Sequence, residues 1–472
     1  MLPVTRLYVA PLLLLFCVSQ CIAQEERRFT LDGSIVTPSQ VLPDGAISIA
    51  GSQIEDVSAT QPRAQGSHLE TGSFIFPGLI DLHDHITWNI LPRWRANRLF
   101  MNRYEWQQTT AYSIALDQPH YAISANHKLA CDAGRYGEIK AIIGGATSIV
   151  GNLAPTSGTN DNACILGLTR NLDIYSGFTG SVLNKEKVWN VVFPLEMSIA
   201  ATVAVRSGLD SGAVKALLIH AGEGNPTDAA AAREFQMLAK GGDGFIHSGV
   251  SVIHGAAFNL ADFQQMAKAG MGLIWSPRSN IELYGATTDV RSAKSSGVKI
   301  ALAPDWSPSG SDGMIEELKY ASTWNASQYP PVFAENELAN MATALPAQLA
   351  GADKQIGTLA KGMYADLLLI RRKGKDAYEA LLYASPADVR LVVIGGTPVY
   401  GDTDLMDKLL PRQHLEHLTV CGTPKELFIE PQPGIPETQK SFKQISDELE
   451  SELSAWGTSL AELAPCESAN LK

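Results

Sequence analysis

Four apolar segments of this chain run into a histidine or an aspartate, and that recurrence constrains the fold more than any other feature. The run through Ile80 ends at His83-Asp84-His85, Leu217-Leu218-Ile219 at His220, Ser251-Val252-Ile253 at His254, and Ile300-Ala301-Leu302 leads to Asp305. Strands buried on both faces read as continuous apolar runs, and in a parallel barrel their ends gather at one face. Several imidazoles and one carboxylate brought together there make a site for a single metal ion.

With 472 residues, the chain has room for a large α/β barrel and a smaller satellite domain. A formal net charge of -12, with no basic stripe, excludes a nucleic-acid partner and leaves a small-molecule substrate. The N-terminus carries Arg6, an apolar stretch from Leu7 to Val18, and Cys21-Ile22-Ala23 before a polar Gln24-Glu25-Glu26. This is the pattern of a secretory signal peptide over residues 1-23, too short for a comfortable membrane span. The expected location is therefore periplasmic or secreted, with a lipid anchor at Cys21 as the alternative and an uncleaved anchor as a third reading. Removing that leader leaves Cys131, Cys164, Cys421 and Cys466. Of the three pairings these allow, the sequence-local one, Cys131 with Cys164 and Cys421 with Cys466, is expected, against free buried thiols.

Strand-like runs near both chain ends, such as Ala46-Ile47-Ser48-Ile49-Ala50 and Arg390-Leu391-Val392-Val393-Ile394, predict one small β-sandwich domain built from 24-72 and 360-402. Between them, over 73-359, apolar runs alternate with helical patterns, the mark of repeated βα units. Strands are expected near Phe74-Leu82, Thr147-Gly151, Cys164-Leu168, Val188-Pro194, Ala216-His220, Val250-His254, Gly272-Trp275 and Lys299-Ala303. Eight such strands would close a (β/α)8 TIM-like barrel. Leu260 to Ala269 predicts a crossover helix. In the C-terminal extension, 403-472, Phe442, Ile445, Leu449, Leu453 and Trp456 recur at helical spacing, which predicts an amphipathic helix packed on the barrel or on a second subunit of a homodimer.

Alternation along an extended strand end turns His83 and His85 to the same side and Asp84 away. Imidazole nitrogen suits zinc, and Glu223, three residues beyond His220, can reach water at the ion without being a ligand. Glu223 is therefore the candidate proton shuttle, and Asp305 can act both as ligand and as base. His120, His127, His247, His414 and His417 have no partner at ligand spacing and are expected in surface or capping roles. Asn325-Ala326-Ser327 has the form of a glycosylation acceptor.

The string Phe76-Pro77-Gly78-Leu79-Ile80-Asp81-Leu82 before His83, together with His254-Gly255, Ser276-Pro277-Arg278-Ser279-Asn280, Ile356-Gly357-Thr358-Leu359 and Lys361-Gly362-Met363-Tyr364-Ala365-Asp366-Leu367, resembles the amidohydrolase superfamily. Within it, the nearest likeness is to the branch of cytosine deaminase, the triazine chlorohydrolases and the adenosylhomocysteine deaminases. The resemblance implies His83, His85, His220 and Asp305 as ligands of one divalent ion, zinc or alternatively ferrous iron. It also implies Glu223 as the acid-base residue and His254 as the group that holds the attacking water or polarises the substrate. The binuclear members carry a carboxylated lysine on the fourth strand, whereas Val188-Pro194 holds none and only Lys185 and Lys187 precede it. The aromatic-rich stretch Ile86 to Tyr121, with Trp88, Arg93, Trp94, Arg95, Tyr104 and Trp106, is where substrate contacts are expected. The implied activity is hydrolysis of a carbon-nitrogen bond, by deamination of a heterocycle or cleavage of a cyclic or linear amide. The competing readings are a binuclear ester or organophosphate hydrolase and a non-catalytic exported binding protein on the same scaffold.

Overall fold

The computed structural model describes residues 27–59, 67–151, 164–165, 167–173, 188–191, 195, 198–238, 244–432 and 434–466. The expected leader and Lys185 and Lys187 lie outside the described residues.

The chain opens with β1 (Arg28–Val36), β2 (Val41–Ala50), β3 (Gln53–Ser58) and β4 (Ser67–Pro77). Eight short strands follow: β5 (Leu79–Asp81), β6 (Ala146–Ile149), β7 (Arg170–Asn171), β8 (Val188–Val191), β9 (Ala216–Ala221), β10 (Val250–His254), β11 (Gly272–Trp275) and β12 (Lys299–Leu302). They form two parallel sheets, β5-β6-β7 and β12-β11-β10-β9-β8. The sheets meet where Asp84 bridges Asp305. There the His85 amide donates to the Asp305 carbonyl at 2.9 Å and the Asp305 amide to the His83 carbonyl at 3.2 Å.

Burial explains the apolar runs. Along β9, Leu217 and Ile219 join one hydrophobic cluster while Ala216 and Leu218 join another, as a strand covered on both faces requires. That second cluster gathers Ile80, Val150, Leu172, Val188, Leu218, Ile253, Ile274 and Ala301, one from each of the eight strands or the residue just after it. The crossover helix Leu260–Ala269 starts at a capping box between Asn259 and Asp262 and stops at Gly270, whose φ of 72° suits a left-handed cap.

The remaining strands, β13 (Leu367–Arg371), β14 (Val389–Ile394), β15 (Thr397–Asp402), β16 (Glu416–Val420) and β17 (Thr423–Leu427), join β1 to β4 in a nine-stranded sheet. Its order is β16-β17-β15-β14-β13-β4-β1-β2-β3, so both ends of the chain contribute, including the segment after residue 402. The expected strand Phe74-Leu82 is divided between the two bodies, β4 in the large sheet and β5 among the parallel strands. Gly78 sits at the break, where an added Cβ would fall 2.1 Å from the Thr147 hydroxyl, so only glycine lets the chain pass.

One expected strand is misplaced. Cys164 and Ile165 lie in a short helical turn, and pairing with β6 begins at Arg170 instead. Periodicity could not reveal this, because Arg170 is a buried cation held in a strand by a two-pronged pair with Asp366, at 3.0 Å from each oxygen. Cys164 is spent on a disulfide with Cys131, and Cys421 pairs with Cys466, the sequence-local pattern. Asn325 is a second correction. Its side chain is buried, donating to the Phe333 carbonyl and accepting from the Val332 and Phe333 amides, so it is sequestered from glycosylation. The C-terminal helix Phe442–Ala455 buries Ile445, Leu449 and Leu453 against this same chain, with Phe442 stacked on Tyr136 at 5.8 Å, while Trp456 stays exposed. Among the described residues no helix is long and apolar enough to cross a membrane.

Glu138 sets a pH dependence. Burial pushes its carboxyl up to about 8, against hydrogen bonds from Asn171 and the Thr169 amide that favour the ionised form. A raised acid pKa means that the folded protein holds a proton the unfolded chain has released. The associated stability is complete below about 4.5 and is lost as pH rises toward 8. Glu138→Gln, which can donate to the otherwise unpartnered Asn171 Oδ1 once that amide turns over, removes the titration. Urea midpoints between pH 5 and pH 8 should decline less steeply in the variant, by at most about 1.4 kcal/mol per pH unit.

Candidate metal centre and substrate cavity

The strand ends deliver their side chains to one place. His83 and His85 leave β5, His220 lies at the end of β9, His254 closes β10, and Asp305 follows β12. Ring centroids lie 4.9 Å apart for His83 and His85, 4.5 Å for His83 and His220, and 5.3 Å for His220 and His254. His83, His85 and His220 can offer ligand atoms within 4.8 Å of one another, and so can His83, His254 and Asp305. The His83 Nε2 is 2.9 Å from Asp305 Oδ1 and the His85 Nε2 is 3.5 Å from it. Those values bracket the separation of roughly 3.3 Å between ligand atoms tetrahedrally placed about zinc.

Electrostatics agree with a cation site. Burial, then the neighbouring His83, lowers His85 to about 4 and takes His220 well below the ordinary range, while burial also lowers His254. For Asp305, burial would raise the carboxyl, but His83, His254 and His85 together hold it far below the usual carboxylate range. His85, His220 and His254 are thus biased toward the neutral imidazole and Asp305 toward the carboxylate, the protonation states a divalent ion needs. The buried Nδ1 atoms of His83 and His220 have no hydrogen-bond partner among the described residues.

The backbone is bent to achieve this. His254 and Asp305 have φ of 68° and 73°, a region side-chain-bearing residues rarely occupy, and only a surrounding that over-determines them keeps them there. Asp84 turns away, as alternation requires, and accepts from Asn89.

A layer of polar partners orients these groups. Ser279 donates to Asp305 Oδ2 at 2.5 Å. Asn280 Oδ1 meets His254 Nδ1 at 3.0 Å, and the amide orientation is determined by its neighbours. Thr288 gives its hydroxyl proton to the His254 carbonyl, so it can only accept from Asn280 Nδ2, which turns Oδ1 toward the ring. His254 therefore carries its proton on Nδ1 and presents a bare Nε2, 3.7 Å from Glu223 Oε2. Glu223 Oε1 accepts from Tyr284 at 2.6 Å, and Arg103 stands 3.9 Å from Oε2.

These groups line a cavity of about 250 Å³ with His85, Trp88, Trp106, Gln107, Tyr112 and Trp306. Of the expected aromatic stretch, Trp88 and Trp106 face the cavity. Trp94 packs behind them, 6.4 Å from Trp106, Arg93 donates to the Ser309 and Gly310 carbonyls, and Tyr104 donates to Glu234. Arg95 is not among the cavity-lining residues. The expectation for His120 is corrected, since it stacks on Trp88 at 3.7 Å and bonds Thr87 rather than lying on the surface. His247, beside Asp210, and His417, beside Glu426, remain peripheral. Arg103 and Tyr112 line the cavity from within the expected stretch Ile86 to Tyr121, though sequence reasoning singles out neither; Trp306, next to Asp305, and Tyr284, which bonds Glu223 without lining the cavity, were not anticipated. Ser279 and Asn280 stood inside a quoted string without a role.

Residues 215–399 match the Amidohydrolase family. Two curated proteins named 5-methylthioadenosine/S-adenosylhomocysteine deaminase are similar in sequence. The one from Desulforudis audaxviator is 31% identical over 163 residues, 32% of this chain. The one from Symbiobacterium thermophilum is 28% identical over 154 residues, 30% of this chain. The matched regions span only 38% and 35% of those relatives' own lengths. In structure, the chain is similar to a zinc-bound adenosine deaminase from Xanthomonas campestris, with a TM-score of 0.65, 16% identity, and coverage of 91% of this chain and 98% of that one. It is also similar to an atrazine chlorohydrolase variant from Arthrobacter aurescens TC1 complexed with zinc and atraton, with a TM-score of 0.64, 16% identity, and coverage of 79% and 95%. At such identities the likeness shows the fold, a TIM-barrel-like α/β architecture.

The donor set predicts a binding experiment. Zinc at about a hundred times its dissociation constant should stabilise the chelator-treated protein by about 2.7 kcal/mol, read as a rise in melting temperature. His220→Ala and Asp305→Asn should each abolish most of that rise.

Proposed function

We infer, from the match of residues 215–399 to the Amidohydrolase family, that the protein is a metal-dependent hydrolase of carbon-nitrogen bonds other than peptide bonds. The observation that supports this is the pair of overlapping donor triads, His83-His85-His220 and His83-His254-Asp305, beside a cavity lined also by Glu223. The matched curated proteins are named deaminases, which favours deamination of a heterocycle, with opening of a cyclic or linear amide as the neighbouring possibility.

In this reading the four ligands hold one ion, zinc by preference or ferrous iron, which supplies the Lewis acidity that makes water a nucleophile near neutral pH. The single ion rests on the absence of lysine from β8. Asp305, its Oδ2 fixed by Ser279, takes the proton from the attacking water. His254 accepts a hydrogen bond from that water through its bare Nε2, because Nδ1–H is committed to Asn280. Glu223 passes to the departing nitrogen the second proton that the attacking oxygen sheds as the carbonyl forms. Trp88, Trp106, Tyr112 and Trp306 present apolar faces that exclude bulk water and accept a flat ring.

The proposed scaffold is a closed (β/α)8 barrel, supported by the apolar cluster that draws on all eight parallel strands. The nine-stranded sheet is read as a small β-sandwich, supported by a shared cluster of Leu31, Ile47, Ile75, Leu367, Leu391 and Val393 from both chain ends. Export to the periplasm or medium is supported by the two disulfides, which persist in oxidising compartments.

The test is a panel of nucleosides, pterins, triazines, hydantoins and N-acyl amino acids, with ammonia, chloride and ring-opened product all measured. At least one member should be hydrolysed by the zinc-loaded protein with about one ion per chain. Glu223→Gln should lower kcat by roughly 10²- to 10⁴-fold while retaining the metal. No turnover across the panel would sink the hydrolase reading, and two ions per chain would overturn the mononuclear site.

A further inference from the structure

We propose that Tyr284 is a positioning residue for Glu223, and that Trp106 ties this alignment to the wall of the substrate cavity; the inference rests on the role assigned above to Glu223. The Tyr284 hydroxyl donates to Glu223 Oε1 at 2.6 Å, and its oxygen accepts from the Trp106 indole N–H at 2.8 Å. Both donors are directional. The indole nitrogen can only donate, which leaves the tyrosine proton no role but to point at the carboxylate. Tyr284 is 1% exposed, and burial together with Glu223 pushes its phenol well above the ordinary range, so it keeps that proton.

The consequence is an asymmetric carboxylate. Oε1 is clamped, while Oε2 looks toward His254 Nε2 and Arg103 at 3.7 Å and 3.9 Å, beyond hydrogen-bond range. Oε2 is therefore the oxygen available to the reacting nitrogen. Trp106 also lines the cavity and packs 5.8 Å from Trp306 and 5.0 Å from Tyr112. A substrate ring pressing on this wall thus bears on the residue that orients Tyr284, and through it on the acid. A group 1 Å out of place costs a proton transfer orders of magnitude, so the clamp acts on kcat rather than on binding.

Tyr284→Phe keeps the ring and removes only the hydroxyl. With the panel member turned over fastest, kcat should fall roughly tenfold to a hundredfold. KM should stay within about twofold and bound zinc per chain should be unchanged, while the melting temperature should fall by a few degrees because the Trp106 N–H loses its acceptor. In a Glu223→Gln background the same substitution should cost about twofold or less, because the group it aligns is already gone. A crystal structure of Tyr284→Phe should show the Glu223 carboxylate rotated or in two orientations. If that carboxylate keeps its place and kcat holds while Glu223→Gln is strongly impaired, the positioning role is wrong and the acid assignment stands. If Glu223→Gln itself is fully active, the underlying reading of Glu223 fails instead.

Discussion

The clasp between His83-Asp84-His85 and Asp305 is the contact on which the rest of the site depends. Two backbone hydrogen bonds, from His85 N to Asp305 O and from Asp305 N to His83 O, join the first parallel strand to the last. The same residues carry three of the candidate ligands, so closing the seam and assembling the donor set are one event. Asp305 adopts a φ of 73° at this seam, a conformation side-chain-bearing residues rarely hold. Three surrounding interactions hold it there: Ser279 on Oδ2, His83 on Oδ1, and the seam itself.

Behind the ligands, the turn after β11 orients several groups at once. Ser279, Asn280 and Tyr284 lie on the short helix Pro277–Tyr284 and reach Asp305, His254 and Glu223 respectively. One helix carrying all three contacts fixes the relative geometry of Asp305, His254 and Glu223 better than three separate loops could. Arg278 on the same helix is buried, pairs with Glu316, and donates its backbone amide to Glu317.

The residues that gather at the candidate site were legible in sequence because a strand buried on both faces writes itself as an apolar run, and its end marks where a polar side chain must emerge. His83, His85, His220, His254 and Asp305 all follow such runs, and Glu223 was found by its distance from His220. Tyr284 and Arg103 left no comparable mark, since each meets Glu223 through tertiary approach, and Trp306 reads as one more apolar residue beside Asp305. The fold failed to read at β7 for a related reason. An arginine with a distant aspartate partner occupies a buried strand, while the apolar stretch just before it serves a disulfide and a turn. Burial of paired charge is invisible to any pattern that counts apolar residues.

The last residues of the chain extend this logic to the cavity wall. The Ala461 amide donates to the carbonyl of Ile90, in the segment that carries Trp88, and the Tyr136 hydroxyl donates to the Ala461 carbonyl. Ile445, Leu449 and Leu453 pack in the same cluster as Trp106, Tyr112 and Trp306. The Cys421–Cys466 bond then ties this terminal segment to the turn between β16 and β17. A wall built from loop and short-helix residues has few strand hydrogen bonds of its own, so its order must come from what packs behind it. Here that backing is a helix and a disulfide-tied segment from late in the chain, which pack in the same cluster as the aromatic surface beside the candidate ligands.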